Sequence, residues 1–125
     1  MYSGGLLKVI VAGGRDFTDM VYMDSCIKQL VMDGSIADDS ELVCGMARGA
    51  DITGYNLWHY HYKLPIHKFY ADWKSEPRRA GFIRNEDMGD VADVLVAFWD
   101  GESRGTKHMI DYMTKLGKPV FIFRY

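Results

Sequence analysis

Three short apolar runs in this chain each end in glycines with an arginine close behind. That repeated arrangement restricts the fold more than any other feature. Val9-Ile10-Val11-Ala12 meets Gly13-Gly14-Arg15, and Leu42-Val43-Cys44 meets Gly45-Met46-Ala47-Arg48-Gly49. Val94–Trp99 meets Asp100-Gly101-Glu102-Ser103-Arg104-Gly105-Thr106. A short β-branched run bounded by turn residues reads as a buried strand. Glycine after it lets the backbone turn sharply and come close to a neighbour or ligand, because no Cβ intervenes. Arginine adds a planar donor fork suited to phosphate or carboxylate. Three such strand ends point to one anion-holding crevice.

Between these runs the pattern turns helical. Residues 8–12 read as the first strand. Residues 19–32 follow as a helix with Met20, Met23, Ile27, Leu30 and Val31 on one stripe, capped by Thr18 or Asp19 and ended by Gly34. Residues 42–44 read as a strand, 50–62 as a helix, and 66–70 as a strand entered through Pro65. A polar stretch, 71–79, leads into a helix over 80–88. Strand 94–99 is followed by a helix over 106–116 with Met109, Tyr112, Met113 and Leu116 inward. Gly117-Lys118-Pro119 then turns the chain into a last strand, 120–123. Apolar runs alternating with helices require parallel strands joined by right-handed crossovers. The expected fold class is α/β: a single doubly wound, mainly parallel five-stranded sheet with helices on both faces. Ligands of such sheets bind beyond the carboxyl ends of the strands, where strand order reverses.

The chain has 125 residues, enough for one domain with its own core. Residues 1–7 read as an N-terminal tail and 8–125 as the domain. A net charge of −2 leaves no broad basic field, so a nucleic-acid partner is not expected. Arg15, Arg48, Arg78, Arg79, Arg84 and Arg104 act as local tools in an acidic background. Cys26 and Cys44 read as buried free thiols of a reducing compartment. With no signal peptide or spanning run visible, no membrane partner is expected and the location is expected to be cytoplasmic.

The motifs differ in what they specify. Gly13-Gly14-Arg15-Asp16 has neither the dinucleotide GxGxxG spacing nor a P-loop ending, and a plain strand-to-helix turn explains it equally well. Gly49 opens a helix whose free N–H groups and positive dipole end suit an anion. Asp51, in its first turn, either matches that dipole or accepts ribose hydroxyls. Arg84 and Asn85 fall early in a helix behind Ala80 and Gly81. Gly81 costs that helix roughly 1 kcal/mol relative to alanine, which close approach of a ligand or neighbouring backbone would offset. Arg78 and Arg79 are either a solvated pair or a phosphate clamp. Ser103 and Thr106, with the amides around Gly105, form an oxygen-binding cup at a helix start.

The ordered set AGGRDF, VCGMARGAD, RAGFIRNEDM, FWDGESRGT and GKPV resembles the SLOG superfamily of Rossmann-like proteins. Within it the chain is most similar to the YspA/YpsA-related branch of bacteria and phages, with LONELY GUY phosphoribohydrolases and DprA as distant relatives. The resemblance spans residues 8–123. It implies a pocket for a nucleotide or nucleotide-derived signal, lined by Gly13, Gly14, Arg15, Gly49, Asp51, Arg84, Asn85, Ser103, Gly105 and Thr106, with Arg104 beside them. It also implies a link to phage–host conflict, such as sequestering an immune signal of the cyclic ADP-ribose type. One departure affects chemistry. The phosphoribohydrolases carry GGxGTxxE, and aligning Gly105-Thr106 with their Gly-Thr puts Met109 at the glutamate. A thioether handles no proton. Asp51, Glu102 or Asp100 would have to substitute.

His59, His61, His67 and His108 follow no metal-ligand spacing, and neither a metal nor another cofactor is expected. Tyr55, Trp58, Tyr60 and Tyr62 crowd one helix end, which suggests a subunit contact and hence a homo-oligomer, a core edge being the alternative. The leading expectation is a binder of a nucleotide-derived small molecule. The alternative is a nucleoside 5′-monophosphate phosphoribohydrolase cleaving the N-glycosidic bond. DprA-like handling of single-stranded DNA is disfavoured by the net acidity.

Overall fold

A computed structural model describes residues 7–125. The chain alternates strand and helix: β1 (Lys8–Gly13), α1 (Met20–Met32), β2 (Glu41–Cys44), α2 (Ala50–Asn56), β3 (Ile66–Lys68), α3 (Ala80–Val91), β4 (Val94–Trp99), α4 (Arg104–Lys115) and β5 (Val120–Arg124). All five strands are parallel, in the order β3-β2-β1-β4-β5. Strand order therefore reverses between β1 and β4, giving an α/β doubly wound sheet. The expected tail, residues 1–7, lies outside the described residues except for Leu7. Its carbonyl accepts from the Glu41 N–H at 2.8 Å and its side chain packs on the core.

The central strands show why both faces must be covered. Val9 and Val11 point into one core with Met23, Ile27 and Trp58 from the α1 and α2 side. Ile10 and Ala12 point into the other with Met88, Met109 and Met113 of α3 and α4. Alternate residues of one strand face opposite ways, so a strand apolar at every position needs helices above and below. Asp19 caps α1, its carboxylate accepting from the Tyr22 N–H at 3.0 Å, and Gly34, at φ 82°, follows its end.

Several local expectations change. The helix expected over 50–62 is α-helical only to Asn56 and then widens into a π-helical turn, Leu57–Tyr62, closed by left-handed Lys63. β3 stops at Lys68, leaving Tyr70 in the following loop. Leu116 lies beyond the end of α4 and is 41% exposed, not inward. Trp58 is fully buried within one chain, its indole N–H donating to the Ser40 carbonyl at 2.9 Å. It is core, not a subunit contact. Tyr62 packs on it and donates to Asp24. Among the described residues no helix is long and apolar enough to cross a membrane. Cys26 and Cys44 are free and buried, and burial lifts the Cys44 thiol to about 12.

Candidate functional site

A crevice of about 1120 Å³ opens at the carboxyl ends of the strands, across the point where strand order reverses. The loops after β1, β2 and β4 supply Gly13 to Asp16, Gly45 to Arg48 and Asp100 to Thr106. The loop after β3 and the first turns of α3 close the remaining side. Gly13, Gly14, Arg15, Asp51, Arg84, Asn85, Ser103, Arg104, Gly105 and Thr106 all line it. Gly49 and Glu102 do not.

The glycines owe their place to the protein's own packing. A Cβ on Gly13 would run into the Phe98 carbonyl, and one on Gly14 into the Tyr125 hydroxyl. Gly49 has φ 90° and sits against the backbone of Gly14 and Arg15. The expectation of free N–H groups at the start of α2 is corrected by the same packing. The Ala50 N–H donates to the Gly14 carbonyl at 3.1 Å, and the Ile52 N–H to the Ala47 carbonyl at 3.2 Å. The first bond fastens the β1 turn to α2, the second closes α2 onto its own preceding loop, and together they use donors an anion would need. Gly105 is the contrasting case, since a Cβ there would meet nothing within 4 Å.

The start of α4 is capped by Ser103, whose hydroxyl lies 3.0 Å from that of Thr106. The two hydroxyls engage each other, and Thr106 is buried. Asp100 builds the preceding turn. Its carboxylate accepts from the Glu102 and Ser103 N–H groups, both at 2.8 Å, and these bonds hold it below the usual carboxylate range. Asn85, also buried, donates to the Gly105 carbonyl at 3.2 Å and stands 3.3 Å from His108 Nδ1. It ties α3 to the first turn of α4.

Asp51 is buried, with the Ala47 N–H donating to its Oδ2 at 3.2 Å. Burial pushes its carboxyl up to about 6, against the opposing pull of Arg84 and that N–H. Arg84 Nη1 donates to the Gly45 carbonyl at 3.1 Å, so this arginine is a strut of the β2 turn as well as a crevice cation. Met109 is 1% exposed and belongs to the core beneath the crevice.

Five arginines line the crevice, namely Arg15, Arg48, Arg78, Arg84 and Arg104, against three carboxylates, Asp16, Asp51 and Asp100. None of the five makes an ion pair among the described residues. Tyr70, Trp73 and Phe82 also line the crevice, and the motif reading missed them. Their only signal in the sequence was aromatic side chains in and just after an otherwise polar loop. Gly81 lies close to one of them: a Cβ there would sit 3.3 Å from the Trp73 ring, a tight contact with a neighbouring side chain.

The histidines are scattered. His67 pairs with Glu41 at 2.6 Å, and His108 approaches Glu86 at 3.5 Å. Among the described residues no three His, Cys, Asp or Glu side chains converge.

Fold and crevice together define a doubly wound parallel α/β protein with an arginine-lined cleft at its switch point. No family model matches the chain, and no solved structure matches it. The Gene 61 protein of Mycobacterium phage D29 is 36% identical to it over 89 residues, which is 66% of this chain and 70% of that protein. The chain belongs to the family of that phage protein.

Proposed function

We propose that the protein binds a nucleotide or nucleotide-derived signalling molecule in this crevice, as a member of the SLOG superfamily. The observation that carries the reading is the segregation of charge. Five arginines, none in an ion pair among the described residues, line one cleft of a chain whose net charge is −2. Unpaired cations gathered in a concave site recognise anions, and arginine forks suit phosphate. Asp51 supplies an acceptor for ligand hydroxyls at the same place. The phage relative is consistent with a role in phage–host conflict, where sequestering an immune signal is the fitting activity.

A second reading rests on Asp51. A carboxyl raised to about 6 in a ligand cleft is poised for proton transfer near neutral pH, as a phosphoribohydrolase needs. The buried Met109, where those enzymes have glutamate, argues against it. Native mass spectrometry of freshly purified protein tests the binder. A retained nucleotide-like mass, or thermal stabilisation by ribonucleotides or cyclic nucleotides, is the expected result. Neither appearing across that panel would refute it. The same spectrum reports whether the protein is the expected homo-oligomer.

A further inference from the structure

We propose that Tyr70, Trp73 and Phe82 form a stacking subsite for the base of the ligand. This rests on the nucleotide reading above and extends it from the phosphate-seeking arginines to the other half of the molecule. The three side chains are 70%, 51% and 42% exposed, a wasteful placement for large aromatic rings unless something covers them. All three line the same crevice as the arginines.

The loop that carries Trp73 is built to hold it. The Asp72 carboxylate accepts from the Ser75 N–H at 3.1 Å, and the Asp72 carbonyl from the Glu76 N–H at 3.0 Å. The Glu76 carbonyl then takes the Ala80 N–H at 2.8 Å, leading directly into α3. Gly81 in the first turn of α3 lets the indole lie close against the helix, since a Cβ there would come within 3.3 Å of the ring. Phe82, the next residue, stands against the His108 imidazole with 4.3 Å between ring centres. Aromatic side chains offer a π-face at small entropic cost, and every nucleobase has a face to stack on them. A crevice with guanidinium groups on some walls and aromatic rings on others fits a ligand that is anionic in one part and a planar heterocycle in another.

Two probes separate the halves: AMP, and ribose 5-phosphate, which lacks the base. Calorimetric titration of the parent should give AMP an affinity about 5- to 150-fold higher, the equivalent of stacking one base on an aromatic side chain. Trp73→Ala should remove most of that advantage and leave ribose 5-phosphate binding unchanged. Trp73→Phe should keep most of it. Arg104→Ala should weaken both probes alike. The subsite is overturned if the parent binds the two probes equally, which leaves the anion site standing. It is also overturned if Trp73→Ala keeps full AMP affinity, loses both probes together, or changes oligomeric state instead. If the parent binds neither probe, the subsite is overturned, while the nucleotide reading stands or falls on the wider panel above.

Discussion

Asp51 and Arg84 flank Gly45 without pairing. A Cβ on that glycine would lie 2.8 Å from Asp51 Oδ2 and 3.1 Å from Arg84 Nε. The Ala47 N–H holds the carboxylate, the Gly45 carbonyl accepts from Arg84 Nη1, and Arg84 Nε is buried with no hydrogen-bond partner among the described residues. Opposite charges are thus brought close, yet each is anchored to backbone. A desolvated carboxylate and an unpartnered N–H are both unfavourable for the folded chain. Both therefore cost stability, and that yields a prediction.

Asp51→Asn should stabilise the protein at neutral pH. The folded carboxyl titrates at about 6, against about 3.9 in the unfolded chain. Between those values the folded state holds a proton that the unfolded state has released. Stability from this group therefore falls as pH rises through the window, and the full penalty applies above about pH 6. Asparagine keeps an acceptor for the Ala47 N–H and removes the charge. We expect a gain on the order of 1–3 kcal/mol near pH 7.5 and little near pH 4, measured by urea unfolding at both. Equal effects at the two pH values would show that desolvation of Asp51 is not the cause.

The arginines should divide by their second role. Arg15 and Arg104 are exposed and hydrogen-bonded to nothing among the described residues, so alanine there should leave the melting temperature unmoved. Arg84→Ala should lower unliganded stability by about 1 kcal/mol, because the Gly45 carbonyl loses its donor. On the nucleotide reading, each of the three variants weakens binding by about 1.5–3 kcal/mol, the worth of a hydrogen bond to a charged group. Unchanged affinity for AMP in all three would remove the arginines from the site.

Much of the fold was legible because its signals are local. Val94–Trp99 reads as a strand from its apolar run and is one, and the α1 stripe follows from spacings of three and four. The crevice was legible because glycine and arginine recur after strand ends. What stayed hidden depends on distant residues. Gly49 looks like an anion-binding helix start, yet the Ala50 N–H beside it goes to the Gly14 carbonyl, a pairing that only the folded chain makes. Gly81 signals close approach without naming Trp73 as the partner. Tyr70 and Trp73 sit in a loop with no periodicity, so nothing in the sequence aimed them at the crevice. Trp58 reads as surplus aromatic surface because the cleft between Ser40 and the sheet that receives it is assembled from afar.

Two glycine substitutions should have opposite signatures. Gly105→Val adds a branched side chain where nothing lies within 4 Å, so folding should be nearly unaffected while ligand access is blocked. Gly49→Ala forces an L-residue to φ 90° and drives its Cβ against the Arg15 backbone, 2.5 Å from its carbonyl carbon. We expect Gly49→Ala to lose more than about 2 kcal/mol of stability, and to lose binding only through unfolding. Thermal melts with and without AMP distinguish them. A Gly105→Val protein that melts like the parent and is stabilised equally by AMP would take the start of α4 out of the site.

Binder and enzyme part company at Met109. Its thioether is 1% exposed and packed with Ile10, Met88 and Met113, so it brings no proton donor or acceptor to the ligand. Glu102 is exposed and does not line the crevice, and the Asp100 carboxylate is already engaged by two backbone N–H groups. Of the candidate acids Asp51, Glu102 and Asp100, that leaves Asp51, whose carboxyl burial raises to about 6. AMP incubated with the protein should therefore be recovered intact. Its binding should still raise the melting temperature, since a ligand at 100 times its dissociation constant adds about 2.7 kcal/mol. Chromatography for free adenine and ribose 5-phosphate is the decisive measurement. Release at an enzymatic rate that Asp51→Asn abolishes and Glu102→Gln does not would replace sequestration with phosphoribohydrolysis, with Asp51 as its acid. Intact AMP together with a clear thermal shift leaves binding as the activity of the crevice.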